Sequence, residues 1–242
     1  MIKDFDLLQR ANNDYTTIDL EHAEELAYRE LIDSIRYISL GDECGVMGNI
    51  ANIITYKGRF YIQEEQFDRV FIYDDTGRCL KKIDNKGRGP GEYLRIESID
   101  INTEKEELML VDGMSDKLFF YDLDGNFKSI HSIRYFQTEN TLCLRDSVFL
   151  HISAPSQNFG NEGLYGYALV LSKGNENFLK GYRYLPLQVG YKGGGQIFKG
   201  YERSCYHPIY SDTIYQILSD TTYGPIFYFK IKNSSWEKYH NS

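Results

Sequence analysis

Charged side chains in a glycine-rich segment are the strongest candidates for chemistry in this sequence. Residues 86–93 read Lys-Gly-Arg-Gly-Pro-Gly-Glu-Tyr. Glycine reaches backbone conformations closed to other residues, and proline fixes one of its own. Arg88 and Glu92, with Arg95 just beyond, could therefore bind a polar ligand together with N–H groups of the loop. The alternative is structural: Arg88 and Glu92 pair with each other or with a neighbouring element and fix its spacing.

Tyrosines form a second group of candidates, at positions 165, 167, 182, 184 and 191. Aromatic rings can stack on sugars or peptides, and packing within a sheet is the competing explanation. We take Tyr165 and Tyr191 as ligand-binding candidates. The following run, 192–195, is rich in glycine but lacks the spacing of a phosphate-binding loop, so it predicts a flexible loop.

Histidines and carboxylates offer weaker signals for catalysis or metal binding. His151 and His207 fall near strand ends and could approach each other, but nothing in their spacing requires it. Asp122, Asp124 and Asn126 imitate the start of a calcium loop, but the glutamate expected later is missing. A hairpin turn explains these three residues. The sequence therefore predicts no metal site and no cofactor, and it identifies no catalytic residue.

Composition limits the classes of partner. The formal net charge is −8 and the pI is about 5.2, which opposes a basic groove for nucleic acid. No run of apolar residues is long enough to span a membrane, and residues 1–6 do not begin a signal peptide. The four cysteines (Cys44, Cys79, Cys143 and Cys205) are widely separated. Their spacing does not favour zinc, and it leaves both free thiols and disulfides open.

An internal repeat indicates which elements position these residues. The pattern that begins at Asp68 returns at Asp116, 48 positions later, and again at Asp212. Each copy is an apolar run, and the first two copies are followed by a turn containing Gly77 or Gly125. A period of this length with several strands per unit is typical of a β-propeller. The predicted fold is all-β, with about four recognisable blades of four strands.

The repeat also divides the chain. The predicted parts are a leader (1–45), four blades (46–92, 93–140, 141–190 and 191–231) and a polar tail (232–242). Within the leader, apolar residues on one face predict a short helix over 21–36, leading into a strand over 35–40. In the third blade, a long glycine- and asparagine-rich insertion over 154–166 predicts a loop.

The glycine-rich segment and its surroundings resemble a known family. The run 87–93, the strands that contain Ile99–Ile101 and Leu110–Asp112, and the later 212–215 (Asp-Thr-Ile-Tyr) resemble NHL-type six-bladed β-propeller repeats. They more closely resemble the bacterial "6-bladed beta-propeller" family of uncharacterised, often lipid-anchored envelope proteins. The resemblance covers nearly the whole chain and implies an envelope or periplasmic location, whereas the lack of a visible signal peptide by itself favours the cytoplasm.

The chain departs from that family in two ways, and three functional hypotheses follow. It shows no lipoprotein signal, and it ends 27 residues after Tyr215, so we expect a truncated propeller whose open sheet edges could self-associate. The first hypothesis is a non-enzymatic module that binds a protein, peptide or glycan. The second, implied by related propellers, is a metal-dependent hydrolase or lyase with an axial site that includes Asp100 and Glu97. The third is a non-functional fragment.

Overall fold

Strands dominate the computed structural model, which describes residues 6–22, 30, 32–133, 137–145, 148–154, 158, 163–173, 177–181, 195–200, 203–209 and 211–230. Three short strands come first: β1 (Asp6–Leu7), β2 (Gln9–Arg10) and β3 (Thr16–Asp19). Four blades follow in chain order. Their strands are β4 (Ile50–Tyr56), β5 (Arg59–Glu64), β6 (Arg69–Asp74) and β7 (Cys79–Ile83) in blade 1; β8 (Ser98–Asn102), β9 (Glu107–Asp112), β10 (Lys117–Asp122) and β11 (Phe127–Ser132) in blade 2; β12 (Asn140–Arg145), β13 (Val148–Ile152), β14 (Leu169–Lys173) and β15 (Asn177–Lys180) in blade 3; and β16 (Gln196–Lys199), β17 (Ser204–His207), β18 (Thr213–Ile217) and β19 (Thr222–Lys230) in blade 4.

Each blade is an antiparallel sheet in which neighbouring strands follow one another in sequence. The inner strands β4, β8, β12 and β16 contact one another in that order. The four blades thus form a ring that resembles a β-propeller, which confirms the predicted all-β propeller class. No helix within the described residues is long and apolar enough to cross a membrane.

Blades are held together by side chains that alternate between the two faces of each strand. In β6, Val70 and Ile72 pack toward blade 2, whereas Phe71 and Tyr73 pack on the opposite face. Because both faces are covered, the middle strands read as continuous apolar runs rather than as alternating patterns. Separate apolar clusters lie between blades 1 and 2, blades 2 and 3, and blades 3 and 4. Each blade therefore depends on its neighbours to bury its apolar side chains.

The repeated turns are built by aspartates. Asp74 accepts hydrogen bonds from the N–H groups of Thr76 and Arg78, both at 3.0 Å. Asp122 does the same for Asp124 and Asn126, at 3.0 and 2.8 Å. The following glycines have positive φ, 89° at Gly77 and 79° at Gly125, which glycine adopts without a steric penalty. The calcium-like residues 122–126 thus form a hairpin turn, as the sequence predicted.

The N-terminal region departs from the predicted leader. A short 3₁₀ turn occupies Leu20–His22, and the rest of the predicted helix lies partly outside the described residues, at 23–29 and 31. Residues 32–49 form neither a helix nor a strand, so the strand expected over 35–40 is wrong. The Gly41 N–H instead donates to the Gly77 carbonyl (2.8 Å), and the Tyr73 hydroxyl donates to the Gly41 carbonyl (3.2 Å). This segment follows the outer part of blade 1 because its polar backbone is satisfied there.

A disulfide joins Cys44 to Cys79, with their Cα atoms 6.0 Å apart. It fixes the segment 41–49 to the first residue of β7. Beneath this segment Ile62, Phe71 and Tyr73 are almost fully buried. Cys143 and Cys205 are free and buried. The sequence left free thiols and disulfides open for all four cysteines, and the structure pairs Cys79 with Cys44 because residues 41–49 pass beside β7, 35 positions away in sequence.

Candidate functional site

Backbone and side-chain hydrogen bonds close the glycine-rich loop between β7 and β8. The Gly87 N–H donates to the Tyr93 carbonyl at 2.9 Å, and the Tyr93 N–H donates to the Asn85 carbonyl at 3.1 Å. The buried Tyr93 hydroxyl donates to the Asp68 carbonyl at 2.9 Å and accepts from the Asn85 N–H at 3.1 Å. Burial raises the pKa of Tyr93, so this hydroxyl stays protonated and anchors the loop to blade 1.

Glu92 folds back into the loop that carries it. Its Oε2 accepts the Gly89 N–H at 2.7 Å. A Cβ at Gly87 would collide with this carboxylate, and one at Gly89 would lie 3.1 Å from it. The two glycines therefore provide the space that the carboxylate occupies. The Glu92 carboxylate thus accepts the Gly89 N–H that would otherwise be available to an anionic ligand. This favours a structural role for Glu92 over a role in ligand binding.

The two arginines differ in how they are engaged. Arg88 is exposed and forms no hydrogen bond or ion pair with any other residue that the structure describes. The Arg95 Nε lies 3.3 Å from Glu97 Oε1. Burial raises the pKa of Glu97, and Arg95 opposes that shift. Arg88 thus keeps a free guanidinium, whereas Arg95 pairs with the carboxylate two positions away.

A groove of about 620 Å³ opens between this loop and the outer strand β11. Its described lining combines polar and apolar groups: Asp84, Asn85, Lys86, Pro90, Gly91, Glu92, Phe127 and Ile130. Lys86 is paired with Asp68. The groove lies at the periphery of blade 2, because β11 is the last strand of that sheet.

A β-bulge explains why two apolar side chains of β11 face this groove. In β10, Phe120 lies opposite Ser129 and Tyr121 lies opposite Phe127, so one extra residue is inserted in β11. A bulge changes which side chains share a face. Phe127 and Ile130, three positions apart, therefore both line the groove, with 46% and 41% of their surfaces exposed.

The aromatic candidates are divided by the fold. Tyr165 lies in the connection from β13 to β14 and is 43% exposed. In an antiparallel blade, that connection and the blade-to-blade connections emerge at the same end of the inner strands. Tyr165 and the glycine-rich loop thus belong to one face of the ring, although to different blades. Tyr191, with Tyr182 and Tyr184, lies outside the described residues.

The inner strands of blades 2, 3 and 4 meet at an ion pair that the sequence did not predict, in which Asp100 is buried and the Lys199 side chain is 25% exposed. Lys199 Nζ donates to Asp100 Oδ2 (3.2 Å) and to the carbonyls of Ile101 (2.9 Å) and Cys143 (2.7 Å). The same Asp100 oxygen accepts the Cys143 N–H at 2.7 Å. Burial raises the pKa of Asp100, and the Lys199 ammonium opposes this. An ammonium has three donors, and all three are used here, so this cluster joins blades rather than offering a free group.

The ion pair bears on the second hypothesis, an axial metal site at Asp100 and Glu97. A metal at Asp100 would have to displace the Lys199 ammonium, and Glu97 pairs with Arg95 instead. Among the described residues, no group of three histidine, cysteine or carboxylate side chains is arranged to hold a metal ion. The arrangement seen here therefore fits a structural ion pair better than a ligand set.

The two candidate histidines lie in separate hydrogen-bond networks. His151 is fully buried in β13, with Nδ1 2.9 Å from Thr141 Oγ1 and Nε2 2.7 Å from Ser172 Oγ. Burial lowers the pKa of His151 to about 3. His207 Nε2 instead donates to the Ser211 carbonyl at 2.8 Å. His151 is thus a neutral core residue that links strands of blade 3.

Solved structures resemble this chain to different degrees. A "putative exported protein" from Bacteroides fragilis matches with a TM-score of 0.73 at 20% identity, over 90% of this chain and 61% of that one. A member of the duf4221 family from Bacteroides vulgatus matches at 10% identity and a TM-score of 0.46, over 74% of this chain and 57% of that one. Virginiamycin B lyase from Staphylococcus aureus matches at 9% identity and a TM-score of 0.48, over 76% of this chain and 57% of that one.

Of these likenesses only the first supports the fold, because the other two have TM-scores below 0.5. This chain spans 61% of the length of the Bacteroides fragilis protein. No functionally curated protein matches the chain in sequence. A family model described as Domain of unknown function (DUF4934) matches residues 15–241, nearly the whole chain, and the protein therefore belongs to that family.

Proposed function

We propose that this protein is a non-enzymatic binding module whose ligand site is the groove between the glycine-rich loop and β11. The observation that carries the proposal is the pair of exposed apolar side chains, Phe127 and Ile130, in a groove of about 620 Å³ with a polar rim. Ligand sites are commonly concave, largely apolar and about 300–1,000 Å³ in volume, with a few placed polar groups. The loop is held rigidly by Tyr93 and Glu92, so the groove is formed before a ligand arrives.

Arg88, Arg95 and Tyr165 complete this proposal as further ligand contacts on the same face, and Tyr191 stays a candidate contact on the evidence of the sequence alone. The guanidinium of Arg88 supports it as well, because it has no partner among the described residues and can donate to a carbonyl oxygen of a ligand. Glu92 contributes by shaping the loop rather than by direct contact. Scaffold and location are part of the proposal too: an NHL-like propeller of the six-bladed type, in the bacterial envelope. The Cys44–Cys79 disulfide supports that location, because disulfides persist in oxidising compartments.

The test is a parallel screen of a random-peptide display library and a glycan array. Wild-type protein is compared with Phe127→Ser/Ile130→Ser, which removes the apolar lining. Leu218→Ser in blade 4, where the side chain is 43% exposed, is the matched control for losing a surface apolar group. Ligands retained by wild type and Leu218→Ser but lost by the double variant would support the groove. Failure to retain any ligand, or equal retention by all three proteins, would contradict it, provided that their circular dichroism melts agree.

A further inference from the structure

Two outer blade edges are already covered by extended segments of the chain itself. In blade 3, β1 pairs with β15, with Asp6 opposite Leu179. In blade 4, β2 and β3 both pair with β19, with Gln9 opposite Thr222 and Thr16 opposite Phe227. All of these pairings are parallel. Outer strands of this ring therefore accept an additional parallel strand, even though the blades are antiparallel internally.

The outer strand of blade 1 is attached to the leader in another way. The Cys44–Cys79 disulfide joins it to residues 41–49. Cys79 and Phe127 are 48 positions apart and are the first residues of β7 and β11, so they are equivalent in the repeat. Each has the same bulge behind it, since Tyr73 lies opposite Cys79 and Tyr121 lies opposite Phe127. At this position blade 1 holds a chain segment, whereas blade 2 presents an exposed phenylalanine.

Blade 2 differs from the other three, because no segment among the described residues is attached to its outer strand. β11 is the last strand of its sheet, and no strand among the described residues pairs with its outer edge. Its first four residues, 127–130, are all exposed. An unpaired edge presents a row of N–H and C=O groups that can pair with another extended chain. The groove runs beside this edge, so a strand added there would place side chains against Phe127 and Ile130.

We propose that the outer edge of β11 binds an extended peptide segment of a partner protein as an added parallel strand. The inference rests on the proposed function and names the ligand class of the same groove. The three charged residues of the lining are all engaged within the protein: Lys86 pairs with Asp68, Asp84 lies 3.4 Å from Lys82, and Glu92 accepts the Gly89 N–H. The charge preference for a ligand is therefore set by the chain as a whole. With a net charge of −8 on the chain, the segment that fits combines β-branched apolar residues with lysine or arginine. Pockets for alternate side chains beside a sheet edge are the usual means of specificity in such pairing.

The probe is a labelled synthetic peptide, acetyl-Lys-Val-Thr-Val-Lys-Val-Thr-Val-Lys-amide, measured by fluorescence anisotropy. Its matched control carries N-methyl groups on alternate residues of one strand edge, which removes the N–H donors while keeping every side chain. Because main-chain hydrogen bonds supply the affinity of an added strand, N-methylation should weaken binding at least about tenfold. Phe127→Ser/Ile130→Ser should weaken it to a similar degree, and Leu218→Ser should leave it unchanged. Hydrogen exchange on the complex should slow at 127–132 and stay unchanged at β15 and β19.

Different failures would separate this inference from the proposed function. If the N-methylated peptide binds as tightly as its parent, or if the parent does not bind while the screen yields groove-dependent ligands, strand addition is wrong and the groove remains a binding site. If wild type dimerises and Phe127→Ser/Ile130→Ser is monomeric, the occupant is a second copy and the partner peptide is wrong. If neither the peptide nor the screen gives groove-dependent binding, both proposals are wrong.

Discussion

Replacing Lys199 with methionine should destabilise the protein strongly, because Lys199 is the cation of the ion pair that joins three blades. The variant keeps the length of the side chain but removes all three of its hydrogen bonds. The Asp100 side chain is only 6% exposed. In the variant it would still accept the hydrogen bond from the Cys143 N–H of blade 3. Removing the cation leaves the buried Asp100 carboxylate uncompensated, and an uncompensated buried charge costs about 3–5 kcal/mol. For a chain of this size, that is a fall in Tm of roughly 6–20 °C.

The pH dependence of this variant gives an independent check. Without the ammonium, the buried Asp100 carboxylate is uncompensated, so its pKa in the folded state rises further above the unfolded value. Protonation then favours the folded state. The penalty should therefore be full at neutral pH and should shrink as the pH falls through the raised pKa of Asp100. Urea unfolding of wild type and Lys199→Met at several pH values measures this difference directly.

Two further variants complete the design. Lys173→Met removes an ammonium that is 63% exposed and pairs with Asp220 at 3.3 Å, and its cost should stay within about 0.5 kcal/mol. Asp100→Asn/Lys199→Met removes both charges and should be more stable than Lys199→Met alone, as a double-mutant cycle would show. A cost below about 1 kcal/mol for Lys199→Met, or no recovery in the double variant, would refute the assignment of this pair as a structural link between blades.

Three other predictions concern the core histidine, the disulfide and a turn. Burial lowers the pKa of His151 from its ordinary 6.5 to about 3 in the folded protein. Between pH 6.5 and about pH 3, this imidazole is therefore protonated in the unfolded state and neutral in the folded state. Wild-type stability should therefore fall as the pH falls through this window, and the stability difference from His151→Gln should change by up to about 1.4 kcal/mol per pH unit in urea titrations. Cys44→Ser/Cys79→Ser opens a crosslink spanning 35 positions and should cost about 3–4 kcal/mol in thermal melts, a loss that reductant should reproduce in wild type but not in the variant. Gly77→Ala and Gly58→Ala both place alanine at positive φ, but only Gly77 packs on the backbone of residue 39. Gly77→Ala should therefore be less stable by a further ~1–3 kcal/mol, and equal losses would contradict the docking of the leader.

The sequence predicts the repeated parts of the fold well because they are encoded locally. Arg69–Asp74 and Lys117–Asp122 form strands at the first two copies of the repeated apolar run, and Glu107–Asp112 forms the expected strand that contains Leu110–Asp112. In these strands an apolar run is bounded by turn residues, and the period of 48 positions supplies the register. The predicted division into leader, blades and tail stays a prediction. The first strands, β1 to β3, were missed because parallel pairing with a distant edge leaves no pattern in such short segments.

The candidate site was predicted only in part, for a similar reason. The glycine-rich loop was found because its residues are adjacent in sequence, and Glu92 then proved to serve the loop itself. Phe127 and Ile130 gave no signal, because their common orientation depends on a bulge that the pairing with β10 creates. Lys199 gave none either, since it meets Asp100 across 99 positions of chain. Contacts of this kind depend on how the blades are arranged around the ring and not on any local motif.

The pairing of β2 and β3 with β19 of blade 4 has a consequence for how the chain folds. The Asn13 side chain donates to the Pro225 carbonyl at 2.7 Å, and Lys230 reaches Asp19 at 3.1 Å, across more than 200 positions of sequence. During synthesis, β2 and β3 must wait unpaired until blade 4 has left the ribosome. Contacts between residues so far apart in sequence slow folding, because the entropic cost of closing a long loop must be overcome before they form. We therefore expect blades 1 and 2 to form early as a locally connected unit, and the attachment of the first strands to β19 to be the last and slowest step.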